Sequence, residues 1–161
     1  MYYTTYLSPI GELYILSDGN RITGIHFDYE LTVEEQGDHL PVLIAASQWL
    51  KCYFDGRNPD PHALPLQPDG THFQRLVWSL LSKIPYGKSI SYGSLAAKAA
   101  AALSKSSMSA QAIGGAVGRN PIVIVIPCHR VLGAKGQLTG FSCGKDRKRF
   151  LLDLEQIPYT E

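Results

Sequence analysis

The first thirty residues alternate between apolar and polar positions in short bursts. YYTTYL (2–7), ELYILS (12–17) and ITGIHFD (22–28) carry the period of two, or the short apolar run, expected of strands. Turn residues separate them, Ser8-Pro9-Ile10-Gly11 and then Asp18-Gly19-Asn20, so the three predict an antiparallel meander. Residues 31–39 are acidic and weakly patterned. Leu43, Ala46, Trp49, Leu50 and Tyr53 then recur at helical spacing up to Asp55-Gly56. RNPDPHALPLQPDG, residues 57–70, holds four prolines and reads as a linker.

In the second half the period changes to that of helices. Thr71 is a candidate cap for a stripe of Phe73, Leu76, Val77, Leu80, Leu81 and Ile84, which stops at Pro85-Tyr86-Gly87. YGSLAAKAAAAL (92–103) predicts a second helix and KSSMS a turn. Ser109 can cap a third helix, which ends at Asn120 because a residue before proline avoids the helical region. IVIVI (122–126) predicts a buried strand that stops at Pro127, which has no N–H for a ladder. A loop punctuated by glycines runs to Gly144. The last helix is predicted over 145–156, with Phe150, Leu151 and Leu154 on one side. The pair 92–103 and 109–119 has the outline of a helix-turn-helix, a pattern that many αα-hairpins share without binding anything.

Composition narrows the class. With 161 residues, 45% hydrophobic and 18% charged, the chain is long enough for one domain or two small ones with a core. No apolar run approaches the ~20 residues of a membrane span. The N-terminus lacks the basic and apolar regions of a signal peptide. Three cysteines, Cys52, Cys128 and Cys143, without metal-ligand spacing, predict neither a zinc site nor a disulfide framework. A reducing compartment is expected, the cytoplasm, or the nucleus in a eukaryote.

Charge changes the picture more. Residues 1–80 hold 4 Lys/Arg against 10 Asp/Glu, whereas residues 81–150 hold 11 Lys/Arg and one acid, Asp146. Residues 151–161 add three acids. A segment at +10 inside a chain of net charge +1 is either a solvated basic surface or a face for a polyanion such as nucleic acid.

Candidate chemistry sits at the end of IVIVI. A lone cysteine is most often a small buried hydrophobe. Cys128 is instead followed by His129 and Arg130, and a neighbouring cation favours the nucleophilic thiolate over a thiol of pKa ~8.5. A carboxylate orienting the imidazole would complete a relay. Glu155, among leucines in LLDLEQ, is the candidate; its alternative is a glutamate on a polar helix face.

VGRNPIVIVIPCHRVLG, followed by GQLTGFSCG and RKRFLLDLE, resembles the O6-alkylguanine-DNA alkyltransferases, or methylated-DNA–protein-cysteine methyltransferases. IPYGKSISYGSLA and FQRLVWSLL match as well, so the likeness covers roughly 71–156. The resemblance implies an α+β fold. Residues 1–70 would form a small antiparallel sheet with a helix, ribonuclease H-like. Residues 71–161 would form a mostly helical, winged-helix-like domain with a helix-turn-helix.

It also implies direct repair of duplex DNA. A minor-groove helix-turn-helix binds, and a guanine carrying an O6-alkyl group is flipped out at a cost of a few kcal/mol. The alkyl group then passes to Cys128. By resemblance His129 takes the thiol proton through a water, Glu155 holds His129, Asn120 organises the turn, and Tyr92 hydrogen-bonds the departing base. Val131, Phe141 and Ser142 would line the base pocket. Gln111, with Ala110, Ala112, Gly114 and Arg119, would face DNA. The product, a thioether, has no electrophilic carbonyl for water to attack, so one turnover per molecule is expected. No cofactor, no metal and no membrane partner is expected, and the chain is expected to be a monomer.

Four departures from the family pattern stand out. Gln111 stands where an arginine is usual, keeping hydrogen-bonding capacity without charge. The turn around LSKSSMS is longer than usual. Phe141 replaces a common tyrosine, and Cys143 a small residue. Alternative readings are a non-catalytic lesion-binding relative, a plain helix-turn-helix regulator and a cysteine hydrolase of small acyl substrates. Cys128 counts against the first, PCHR against the second and the basic segment against the third.

Overall fold

Alternation over the first thirty residues folds into β1 (Tyr2–Ser8), β2 (Gly11–Ser17) and β3 (Ile22–Phe27), antiparallel as the turns require. Register sets Leu13 against Phe27 and Ile15 against Ile25, so one sheet face collects four buried apolar side chains. A two-residue strand, β4 (Glu35–Gln36), runs parallel to β1 and gives the order β3-β2-β1-β4; the acidic stretch 31–39 carries no pattern that predicts it. α1 (Pro41–Phe54) starts at a proline, whose missing N–H costs nothing in the first turn. Its buried residues are the five expected, Leu43, Ala46, Trp49, Leu50 and Tyr53.

The computed structural model describes residues 1–161, which divide into two units, Met1–Asp69 with Pro121–Val123, and Gly70–Asn120 with Ile124–Glu161. The proline-rich stretch 57–70 is not a solvated tether. Ile22 N donates to Pro65 O at 2.8 Å, Gln67 N donates to Ile22 O at 2.8 Å, and Leu64 is buried. Trp49 Nε1 donates to Asp60 O at 2.9 Å. Proline suits such a border strand, because it gives a carbonyl and needs no partner for an N–H. Pro121–Val123 completes the first unit, with Ile25 N donating to Pro121 O at 2.9 Å and Val123 N to Ile25 O at 3.1 Å.

The second unit contains α2 (His72–Leu81), β5 (Ile90–Ser91), α3 (Tyr92–Ala102), α4 (Ala110–Gly118), β6 (Val131–Leu132) and α5 (Lys145–Leu154). Each of the first three helices starts where its cap residue stands. Thr71 and Gln74 form a reciprocal capping box, Ser91 Oγ accepts from Ser94 N at 3.0 Å, and Ser109 Oγ accepts from Ala112 N at 3.2 Å. α2, α3 and α4 pack on one another, and Trp78 Nε1 donates to Ala116 O at 2.9 Å. β5 and β6 pair in parallel, Ile90 with Val131 and Ser91 with Leu132.

Two expectations fail here. IVIVI is buried throughout but is not a strand. Its residues make isolated bridges instead of a ladder, Ile122 to Ile25 among them, and Ile124 has φ +75, a left-handed conformation rare for a β-branched residue. Burial, not ladder pairing, is what its apolar run encodes. The buried side of α5 is Lys148, Leu151 and Leu152 rather than Phe150, Leu151 and Leu154. The helix seats a charged residue in the interior, which hydropathy alone does not anticipate.

The Thr71 capping box makes a direct prediction. Thr71→Ala should lower stability by about 1 kcal/mol, read as a melting-temperature fall of about 2–4 °C; an unchanged melt would mean the box contributes nothing.

Candidate active site

After the left-handed Ile124, Cys128–Arg130 form a single 3₁₀ turn closed by Arg130 N donating to Pro127 O at 3.0 Å. All three residues of the turn are buried, His129 completely. Asn120, at the end of α4, braces the turn from behind. Its Nδ2 donates to Ile126 O at 2.7 Å, and its side chain also hydrogen-bonds the Cys128 sulfur.

Glu155 caps the C-terminus of α5 and is buried, not on a polar face. Its Oε2 lies 2.5 Å from His129 Nε2. Its Oε1 accepts from Arg130 Nε at 2.8 Å and from Gly87 N at 3.1 Å. Gly87 can point its N–H there because it sits at φ +80, a conformation glycine adopts without steric cost. Arg130 also donates to Ile84 O at 2.6 Å and lies 5.8 Å from the Tyr86 ring centroid. One buried carboxylate therefore gathers an imidazole, a guanidinium and a turn N–H.

The electrostatics follow. Burial raises the carboxyl of Glu155, but hydrogen bonds and charge from His129 and Arg130 outweigh it and hold it well below the usual carboxylate range. Burial pushes His129 below its ordinary value, so the ring is neutral at rest. An ionised carboxylate has no proton to give, so Nε2 carries the hydrogen and Nδ1 keeps its lone pair. That is a base awaiting a proton. Burial pushes the Cys128 thiol up to about 12, against smaller lowering effects of the Asn120 hydrogen bond and the charge of Lys148. The resting sulfur is a thiol, and the expectation that flanking cations hold it anionic is corrected. The guanidinium of Arg130 is spent on Glu155 and Ile84 instead.

Tyr92, the first residue of α3, is half-buried, and burial raises its hydroxyl above the ordinary value. Thr139 Oγ1 accepts from Lys148 Nζ at 3.1 Å, and the same Nζ donates to Val131 O at 2.7 Å. Hydrogen bonds thus join His129, Arg130 and Glu155 in one cluster and Lys148, Val131 and Thr139 in another. Phe141 is half-buried and Ser142 exposed on the loop before α5, with Ser142 Oγ 3.9 Å from Cys143 Sγ. Ala110, Gln111, Ala112, Gly114 and Arg119 belong to a different surface, α4 and its end, where Ala110, Gln111 and Arg119 are exposed.

Sequence reasoning overlooked Lys148, Thr139 and the destination of Arg130. A signal for Lys148 existed. Lys148, Leu151, Leu152 and Glu155 fall at i, i+3, i+4 and i+7, one helical face, so both charged residues lie on the apolar stripe.

Comparison with known proteins gives a consistent likeness. Residues 72–157 match the family model of the 6-O-methylguanine DNA methyltransferase DNA binding domain, and residues 1–68 that of its ribonuclease-like domain. A methylated-DNA–protein-cysteine methyltransferase of Haemophilus influenzae is 44% identical over 165 residues, covering 100% of this chain and 89% of that protein. The constitutive one of Bacillus subtilis is 40% identical, covering 99% and 98%. The crystal structure of Mycobacterium tuberculosis OGT in complex with DNA superposes with a TM-score of 0.83 at 38% identity, covering 97% of this chain and 93% of that one.

The site predicts an acid-side loss of stability. A His129 lowered in the folded state means the unfolded chain binds that proton first, so stability present above pH ~6.5 is lost as pH falls below it. Glu155, also lowered, adds a second loss below its unfolded range of ~4.3. Melting temperature should fall from about pH 6.5 downward, and Glu155→Gln should flatten the lower limb. A flat profile between pH 8 and 5 would contradict these protonation states.

Proposed function

Because the chain belongs to the 6-O-methylguanine DNA methyltransferase family, we propose that Cys128 is the residue to which it transfers an alkyl group from O6 of guanine in duplex DNA, once per molecule. The observation that carries the assignment is the buried chain Glu155–His129 beside Cys128, a neutral base held by an ionised carboxylate next to a thiol. A thiol raised to about 12 is a poor nucleophile at rest. It becomes one when its proton passes to His129 as the alkyl carbon arrives. A sulfur lone pair then forms the S–C bond, and the C–O6 pair leaves on guanine. The base takes up a proton, which balances the one the thiol lost. Tyr92, a neutral hydroxyl, donates the hydrogen bond that eases this departure. Asn120 sets the turn, and Val131, Phe141 and Ser142 border the base. The thioether is a dead end, and the protein is consumed.

DNA binding falls to α4. Its buried side is Ile113, Ala116 and Val117, and its open side includes Gln111, Gly115 and Gly118, followed by Arg119. Glycine inside a helix costs about 1 kcal/mol relative to alanine. A Cβ added at Gly114, Gly115 or Gly118 would meet nothing within 4 Å, so the protein's own packing does not require them. A duplex backbone lying against this face does. Gln111 would reach into the duplex from the first turn, with Ala110 and Ala112 beside it. No helix of the chain is long and apolar enough to cross a membrane; the protein acts as a cytoplasmic monomer.

Two experiments test this reading. After incubation with DNA carrying O6-methylguanine, the peptide holding Cys128 should gain one methyl mass, at no more than one per protein, and Cys128→Ser should gain none. Methyl on Cys52 or Cys143 alone, or repeated transfers per molecule, would sink the assignment. The double variant Gly115→Ala, Gly118→Ala should be more stable by about 1–2 kcal/mol yet bind duplex DNA more weakly. Equal or tighter binding would remove α4 from the DNA face.

A further inference from the structure

The segment that follows Glu155 makes contacts the mechanism above leaves unused. Gln156, at φ +58, ends α5 in a Schellman turn, with Gln156 N donating to Asp153 O at 3.0 Å and Ile157 N to Leu152 O at 2.9 Å. The reversal brings the chain against the loop between β6 and α5. Ile157 is buried with Leu132, Leu138 and Leu152, and Tyr159 packs against them. Thr160 pairs with Gln137 in a parallel bridge. Leu138 N donates to Thr160 O at 2.6 Å, Thr160 N to Gly136 O at 2.8 Å and Thr160 Oγ1 to Lys135 O at 3.5 Å. Glu161 pairs with Arg149 of α5.

The gripped loop needs outside support. Lys135 and Gly136 both have positive φ, +58 and +73, and the first is a conformation that a residue with a side chain adopts at a cost. Gly133 N donates to Gln137 O at 2.8 Å, and a Cβ at Gly133 would come within 2.9 Å of Thr139 Cγ2, so the stem closes tightly only over glycine. On α5, Lys148 Nζ donates to Thr139 Oγ1 at 3.1 Å. Two and three residues past Thr139 stand Phe141 and Ser142.

We propose that Tyr159–Glu161 is a clamp on the loop Gly133–Gly144, a positioning segment that holds Phe141 and Ser142 ready for the flipped base and so sets the preference for alkylated over unmodified DNA. The inference rests on those two side chains bordering the base. A loop ordered in advance loses less freedom on binding, so affinity rises without any new contact to the ligand. The clamp works through the backbone. Thr160 is exposed, and its N–H and C=O do most of the holding, each on a different residue of the loop. It takes no part in the chemistry at sulfur.

The test is equilibrium binding of duplexes with and without O6-methylguanine by the full chain carrying Cys128→Ser, where no transfer to sulfur intervenes, with Thr160→Pro and Thr160→Ala added in turn. Proline removes the N–H that Gly136 O accepts; alanine keeps both backbone groups. Thr160→Pro should lower the preference for methylated duplex about fivefold, the worth of one backbone hydrogen bond, with affinity for unmodified duplex unchanged. Thr160→Ala should stay near its parent. A lower melting temperature with the preference intact would make the segment a brace for the fold only and overturn the proposal. Should Thr160→Pro fail to fold, Glu161→Gln releases the far end of the segment from an exposed position and should lower the same preference about twofold; an unmoved preference would overturn the proposal. Methyl uptake by wild type is read separately. Uptake on Cys128 with an unmoved preference in the variants would reject the clamp alone. A lowered preference with no uptake would uphold the clamp and reject the acceptor role. No preference in the Cys128→Ser parent would overturn the base pocket and the clamp together.

Discussion

A single buried carboxylate holds the active site together. Glu155 accepts hydrogen bonds from the ring of His129, the guanidinium of Arg130 and the backbone N–H of Gly87. An isolated carboxylate in this interior would be neutralised or expelled. Arg130 prevents that, and it is itself fixed by Ile84 O and the face of Tyr86. Removing one member of such a buried pair costs about 3–5 kcal/mol, most of it from stranding the other. The arrangement does little for net stability. What it secures is a tautomer, an imidazole that donates at Nε2 and is therefore basic at Nδ1.

From that constraint the rest of the site follows. A neutral base tolerates burial better than a cation, so the thiol can sit inside the protein and remain protonated until it is needed. This suits the once-only acceptor role proposed for Cys128, because a thiol held high resists adventitious alkylation and oxidation. In the proposed transfer the chemistry is timed by proton movement rather than by a standing thiolate.

Much of this was legible in the sequence, for identifiable reasons. Helix starts at Thr71 and Ser109 are written in local cap chemistry, and the meander in the period of its side chains. Cys128, His129 and Glu155 were found because unusual residue types stand in apolar surroundings. Other features depend on contacts far apart in the chain. IVIVI reads as a strand, and its irregular path is set by the left-handed Ile124 and the Asn120 brace. Arg130 reads as an aid to its neighbour Cys128, but its partners Glu155 and Ile84 lie 25 and 46 residues away. Lys148 was hidden by the habit of assigning lysine to the surface.

The tautomer is open to direct measurement by nitrogen NMR of the His129 side chain in the unreacted protein near pH 7.5. A protonated Nε2 with an unprotonated Nδ1 is the predicted result. An imidazolium, or a ring with its hydrogen on Nδ1, would leave Cys128 without a base and contradict the account.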